Sequence, residues 1–182
     1  MQNSGPGNSP GIRAGGRRAP VDCGDLAIRI ARDGTWFYRG SPIGRLPLVK
    51  LFASVLRREV DGSYWLVTPA ERGRVEVEDV PFLAVELTVA GEGDRQRLIF
   101  RTNLDDIVTA GADNPLRVET AANGAPAPYI QVRDGLEAKL ARPVFYELVE
   151  LGIEEQVAEA TQFGVWSDGV FFRLGDPGPD WG

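Results

Sequence analysis

Apolar side chains recur at every second position over residues 25–32, where Leu26, Ile28 and Ile30 alternate with polar or small neighbours. That period belongs to a half-buried strand. Asp33-Gly34 follows, and glycine accepts positive φ without steric cost, so the pair predicts a hairpin turn into residues 35–38. Gly40-Ser41-Pro42 breaks the return strand. The spacing then changes to three and four: Leu48, Leu51, Phe52, Val55 and Leu56 form one stripe over residues 46–58. This predicts an amphipathic helix with Pro47 in its first turn and Arg57 and Arg58 near its negative end. Asp61-Gly62 predicts another hairpin turn, leading into Tyr64-Trp65-Leu66-Val67. Residues 68–73 read as a connection. Val75 and Val77 alternate with Glu76 and Glu78, giving a strand with one acidic face. Residues 82–89 and 97–101 read as two longer strands around a loose loop.

Residues 103–114 carry turn-forming residues and no sustained period. Strands are predicted at 116–119 and 129–132, on either side of the small-residue loop 121–128. Asp134-Gly135 turns into residues 136–140. A second helix is predicted over 143–151, with Pro143 at its start and Gly152 in the place of a C-terminal cap. The last hairpin turns at Asp168-Gly169.

The order hairpin, helix, hairpin occurs twice. The first copy is marked by Asp33-Gly34 and Asp61-Gly62, the second by Asp134-Gly135 and Asp168-Gly169. Arg45 and Arg142 stand just before the helix in matching places. The spacers differ: Pro47 lies 14 residues after Asp33, and Pro143 lies 9 after Asp134. A diverged structural repeat and a coincidence of two common hairpin signals both fit. The fold class read from this order is α+β, mostly antiparallel β, with two related β-rich halves each packed on one helix. The boundaries read as a flexible tail at 1–22, a first lobe at 23–102 and a second at 103–182.

Composition removes more chemistry than it suggests. The 182 residues contain no histidine and a single cysteine, Cys23. Histidine-based triads, the common zinc sites and an internal disulfide are therefore excluded. The net charge is −6, but Arg13, Arg17 and Arg18 lie in the first 20 residues, so the body carries 17 basic and 26 acidic side chains. An acidic body disfavours nucleic acid, which requires a basic face. No apolar run approaches the ~20 residues of a membrane span, and no secretory segment opens the chain. The expectation is a cytoplasmic protein with no cofactor, no metal and no membrane or nucleic-acid partner.

Carboxylates are densest at Glu71-Arg72-Gly73-Arg74-Val75-Glu76-Val77-Glu78-Asp79. Paired carboxylates serve as acid and base in glycoside hydrolysis. Alternation accounts for Glu76 as a solvated face, whereas Glu78-Asp79 precedes an apolar strand and could fix a loop through backbone N–H groups. Thr102-Asn103-Leu104-Asp105-Asp106 lacks the spacing of a calcium loop. An arginine at a helix start suits a bound anion, or else an internal ion pair.

The runs Asp33-Gly34-Thr35-Trp36, Gly40-Ser41-Pro42-Ile43 and Leu48-Val49-Lys50-Leu51-Phe52-Ala53-Ser54-Val55-Leu56 resemble a bacterial domain-of-unknown-function family, number 1285. So do Leu66-Val67-Thr68-Pro69-Ala70-Glu71-Arg72, Val77-Glu78-Asp79-Val80-Pro81-Phe82, Phe100-Arg101-Thr102-Asn103 and Tyr129-Ile130-Gln131-Val132-Arg133-Asp134-Gly135-Leu136-Glu137. The resemblance spans residues 23–174. It implies a cytosolic bacterial protein of two related, mostly β lobes, with a suggested role in signalling or ligand binding. Where that family pattern has a histidine before Pro-Leu, this chain has Asn114-Pro115-Leu116, so chemistry that depends on the histidine is unavailable.

The leading expectation is a non-enzymatic module that binds a small molecule or a protein partner between the lobes. Its candidate residues are Arg45, Glu71, Arg72, Glu78, Asn103 and Arg133. A carboxylate hydrolase using a pair from Glu71, Glu78 and Asp79, and a structural interaction protein, remain the alternatives.

Overall fold

The computed structural model describes residues 19–176. The predicted tail therefore lies outside the described residues up to residue 18, and Val21 and Asp22 already belong to a strand. The first sheet contains β1 (Val21–Ile30), β2 (Trp36–Tyr38), β3 (Ser41–Pro42), β4 (Leu56–Arg58), β5 (Tyr64–Val67) and β6 (Glu71–Val77), with helix α1 (Leu46–Ser54) between β3 and β4. The second contains β7 (Phe82–Ala90), β8 (Arg97–Thr102), β9 (Ile107–Thr109), β10 (Leu116–Thr120), β11 (Pro126–Arg133) and β12 (Leu136–Leu140). Helix α2 (Arg142–Glu150) and a small sheet of β13 (Ile153–Val157), β14 (Ala160–Ser167) and β15 (Val170–Gly175) complete the chain. The α+β, antiparallel-dominated class and the two β-rich halves, each with one helix, are as predicted.

Both large sheets have one topology. The strand order is β3-β2-β1-β6-β5-β4 in the first and β9-β8-β7-β12-β11-β10 in the second. Each is two three-stranded meanders joined because the first strand pairs in parallel with the last: β1 with β6, and β7 with β12. The repeat is thus real, but its frame is residues 21–77 against 82–140. The helices are not counterparts. Helix α1 joins the third and fourth strands of its sheet, whereas α2 follows the sixth, and Arg45 and Arg142 do not correspond. The reason is that Asp-Gly reports a tight hairpin wherever one occurs. Asp33-Gly34 joins the first and second strands of one sheet, and Asp134-Gly135 joins the fifth and sixth of the other. The chain passes between sheets at residues 78–81, while Asn103, where the sequence reading divides the body, turns β8 towards β9 inside the second sheet.

Helix α1 ends at Ser54, four residues before its predicted end. The Asp61-Gly62 hairpin needs a strand on each side, and Leu56, fully buried, pairs with Leu66 to begin one. Residues 71–73, read as a connection, open β6. Gly73 is a packing residue there: a Cβ would stand 2.3 Å from Cγ of Leu26 on the neighbouring strand. Strand β1 reaches this register through two irregularities against β6. Asp22 Oδ1 accepts from the Gly24 amide and Asp25 Oδ1 from the Ala27 amide, local bonds that hold such bulges. Gly152 follows α2 as predicted, but Phe163 fills the space where its side chain would lie.

One continuous core joins the halves. Ile30, Trp36 and Leu56 from the first sheet cluster with Phe82, Phe100, Ile130 and Leu136 from the second, and Leu148 of α2 and Val165 of β14 complete the same cluster. The small sheet is fastened through Ser167, which is fully buried. Its hydroxyl donates to the Ala110 carbonyl at 2.7 Å and accepts from the Leu98 amide at 2.9 Å. Among the described residues no helix is long and apolar enough to cross a membrane.

Candidate functional site

The passage between the sheets carries the acids that stood out in the sequence. Glu78 has its amide on the Ile30 carbonyl at 3.0 Å, and its carboxylate accepts from the Arg29 guanidinium and from the Arg32 amide, the latter at 3.1 Å. Glu78 therefore fixes the turn that carries Arg32. Asp79 faces the other half: it accepts from the Tyr129 hydroxyl at 3.1 Å and from Lys139 Nζ at 2.9 Å. Val80 packs with Ala127 and Tyr129 of β11, and Pro81 is fully buried. Burial and, secondarily, the neighbouring Asp79 charge push the Tyr129 hydroxyl up to about 12. Proton loss would place a second anion in a partly dry site beside the first.

Asn103 and Arg133 also act across the seam. Asn103 Nδ2 donates to the Gly34 carbonyl of the first half at 3.3 Å, while its Oδ1 accepts from the Leu83 amide at 3.0 Å. Arg133 donates to the Ala53 carbonyl at the end of α1 at 2.8 Å, pairs with Asp106 at 3.3 Å, and lies over the Phe82 ring. A cation at a helix C-terminus is favoured by the helix dipole. The structure thus brings Glu78, Asn103 and Arg133 to the junction of the halves. The remaining three candidates lie elsewhere. Arg72 sits on Trp65, 3.9 Å from the ring centroid, between Asp22 and Glu59 at 3.9 and 3.6 Å. Glu71 is exposed at the start of β6, and its amide donates to Thr68 Oγ1. Arg45 is the exposed N-cap of α1.

A cleft of about 830 Å³ opens beside this junction. Strand β12 supplies Lys139 and Leu140, β11 supplies Ala127 and Pro128, and α2 presents Arg142, Phe145, Tyr146 and Val149 along one face. The loop 121–125 adds to the lining, and Arg32 contributes from the first half. Lys139 and Arg32 were not among the sequence candidates. The available signal was the run Ala121-Ala122-Asn123-Gly124-Ala125-Pro126-Ala127-Pro128, whose small side chains leave room in front of a helix. A second cleft, about 730 Å³, lies between β10 and β15 and mixes Arg117 and Arg173 with Glu119 and Asp176. Asn114 donates to the Gln131 and Val132 carbonyls and holds its loop to β11. Among the described residues no group of three or more metal-ligating side chains comes together.

Fold and junction define a class: an internally duplicated α+β protein, two six-stranded sheets of one topology sharing a core, with a cleft where the halves meet. The chain belongs to the DUF1285 family. Residues 17–80 match "Domain of unknown function (DUF1285), N-terminal domain" and residues 81–174 match "Protein of unknown function (DUF1285), C-terminal domain". It is similar to the crystal structure of a DUF1285 family protein from Silicibacter pomeroyi DSS-3, with 47% identity, a TM-score of 0.80, and coverage of 87% of this chain and 84% of that one. A DUF1285 family protein from Shewanella baltica OS155 is 28% identical, with a TM-score of 0.54 over 69% of this chain and 91% of that one. No curated protein matches the chain.

Proposed function

We propose that this protein is a non-enzymatic binding module of the cytoplasm, with a regulatory or signalling role, whose ligand sits in the cleft between the halves. The observation that carries this reading is the make-up of the cleft: side chains from both halves line one concave space. A ligand there contacts both halves, and one that favours one arrangement of them over another shifts the population toward it. The acids that a hydrolase would use are otherwise engaged. Glu78 holds Arg29 and the Arg32 amide, Asp79 holds Tyr129 and Lys139, and Glu71 lies at the opposite end of β6. Asn103 and Arg133 support the site by fixing the junction, and Glu78 supports it by fixing Arg32.

Native mass spectrometry of rapidly purified protein tests the reading, with hydrogen exchange as its partner measurement. The expected result is an added mass, one per chain, released on denaturation, with residues 121–128 and 139–149 protected in the loaded form. A bare-chain mass in every preparation, with no change in exchange of those segments on adding a cell metabolite extract, would overturn it.

A further inference from the structure

We infer that the cleft selects an anion, carboxylate, phosphate or sulfonate, carried on a flat apolar body; this rests on the cleft being the ligand site. Three cations line it, Arg32, Lys139 and Arg142, and no carboxylate does. In a chain with 26 acidic and 20 basic side chains, that is a local inversion of sign. Among the described residues neither arginine is in an ion pair; Lys139 alone has a carboxylate partner, Asp79 at 2.9 Å, which uses one of its three donors. A cation-lined concavity raises the local concentration of anions, and a free guanidinium fork matches two oxygens of one anionic group. Beside these charges the lining carries the small side chains of Ala125 and Pro126 together with Tyr146, which is half-exposed at 49%. An exposed ring among small side chains offers a face on which a planar group can stack.

The test uses two dyes of one shape. Anilinonaphthalene sulfonate carries the charge and N-phenylnaphthylamine lacks it. Fluorescence titration of the folded full chain should show the sulfonate binding at least about tenfold more tightly than the neutral dye. Arg32→Gln and Arg142→Gln should each weaken the sulfonate about fivefold and leave the neutral dye unchanged. Ala125→Trp, or Ala122→Trp if the first does not fold, should block both. Inorganic phosphate should displace the sulfonate only. Equal affinity for the two dyes, or arginine variants without effect while the tryptophan variant still blocks, would refute anion selection and leave the ligand site standing. Binding that survives both the tryptophan and the arginine variants would place the dyes elsewhere and remove the site itself.

Discussion

Replacing Ser167 by alanine tests how the small sheet is held to the second sheet. The hydroxyl and both of its partners, Leu98 and Ala110, are fully buried. The substitution keeps the backbone and removes one atom, but it leaves a buried N–H and a buried carbonyl that had bonds of 2.9 and 2.7 Å. An unsatisfied buried backbone group costs about 1–3 kcal/mol, so two cost about 2–6, less the desolvation that the hydroxyl itself no longer requires. The expected loss is about 3 kcal/mol, or a fall in melting temperature of about 6–12 °C for a chain of this size. Differential scanning calorimetry of the Ser167→Ala variant beside the exposed control Thr120→Ala reads it. Amide exchange adds a local check, because the Leu98 N–H should lose protection more than the Phe100 N–H on the same strand. A melting temperature within about 2 °C of the parent, or an unchanged Leu98 exchange rate, would show that the bridge does not hold the sheet.

Gly73→Ala should cost about 2 kcal/mol in urea unfolding, since its Cβ would stand 2.3 Å from Leu26, and Leu26→Ala should recover part of that loss in the double variant. Tyr129 should ionise at about 12, later than an ordinary tyrosine. Its folded-state value is raised, so the stability it contributes is present below the ordinary value near ~10 and is lost as pH climbs from there through the folded value. Spectrophotometric titration should lose its highest-pH phenolate step in Tyr129→Phe and move that step down in Asp79→Asn; an unshifted step in Asp79→Asn would remove Asp79 as a cause. Hydrogen bonds from Lys50 and Arg101 hold the Asp105 carboxyl below its ordinary range. That contribution is present above the ordinary carboxylate value and is lost as pH falls through the folded one, so the urea midpoint of Asp105→Asn should fall less than the parent's between pH 5 and pH 2.

Local elements were legible in the sequence because each is set by near neighbours. Asp33-Gly34, Asp61-Gly62, Asp134-Gly135 and Asp168-Gly169 all turn hairpins, and both helices carry their proline in the first turn. The end of α1 was legible only in combination: Leu56 suits a helix stripe, and only the demand of the following hairpin for a partner makes it a strand. The frame of the repeat was hidden because the pairings that define it, β1 with β6 and β7 with β12, join strands far apart in sequence. The cleft was hidden for the same reason. Arg32, Lys139 and Arg142 carry no shared motif, and topology alone gathers them. Glu78 and Asp79 were visible as unusual, and their roles follow from what lies opposite them on each half.

The parallel pairing of first with last strand also sets an order on how this chain is made. A ribosome delivers β1 long before β6, so one full edge of β1 stays open while five further strands are synthesised, and β7 then waits in the same way for β12. An unpaired edge is a template for other chains. Each half can close only when its final strand emerges, and the common core only after both have closed. The duplicated design thus exposes the nascent chain twice to mispairing, once at the open edge of β1 and once at that of β7.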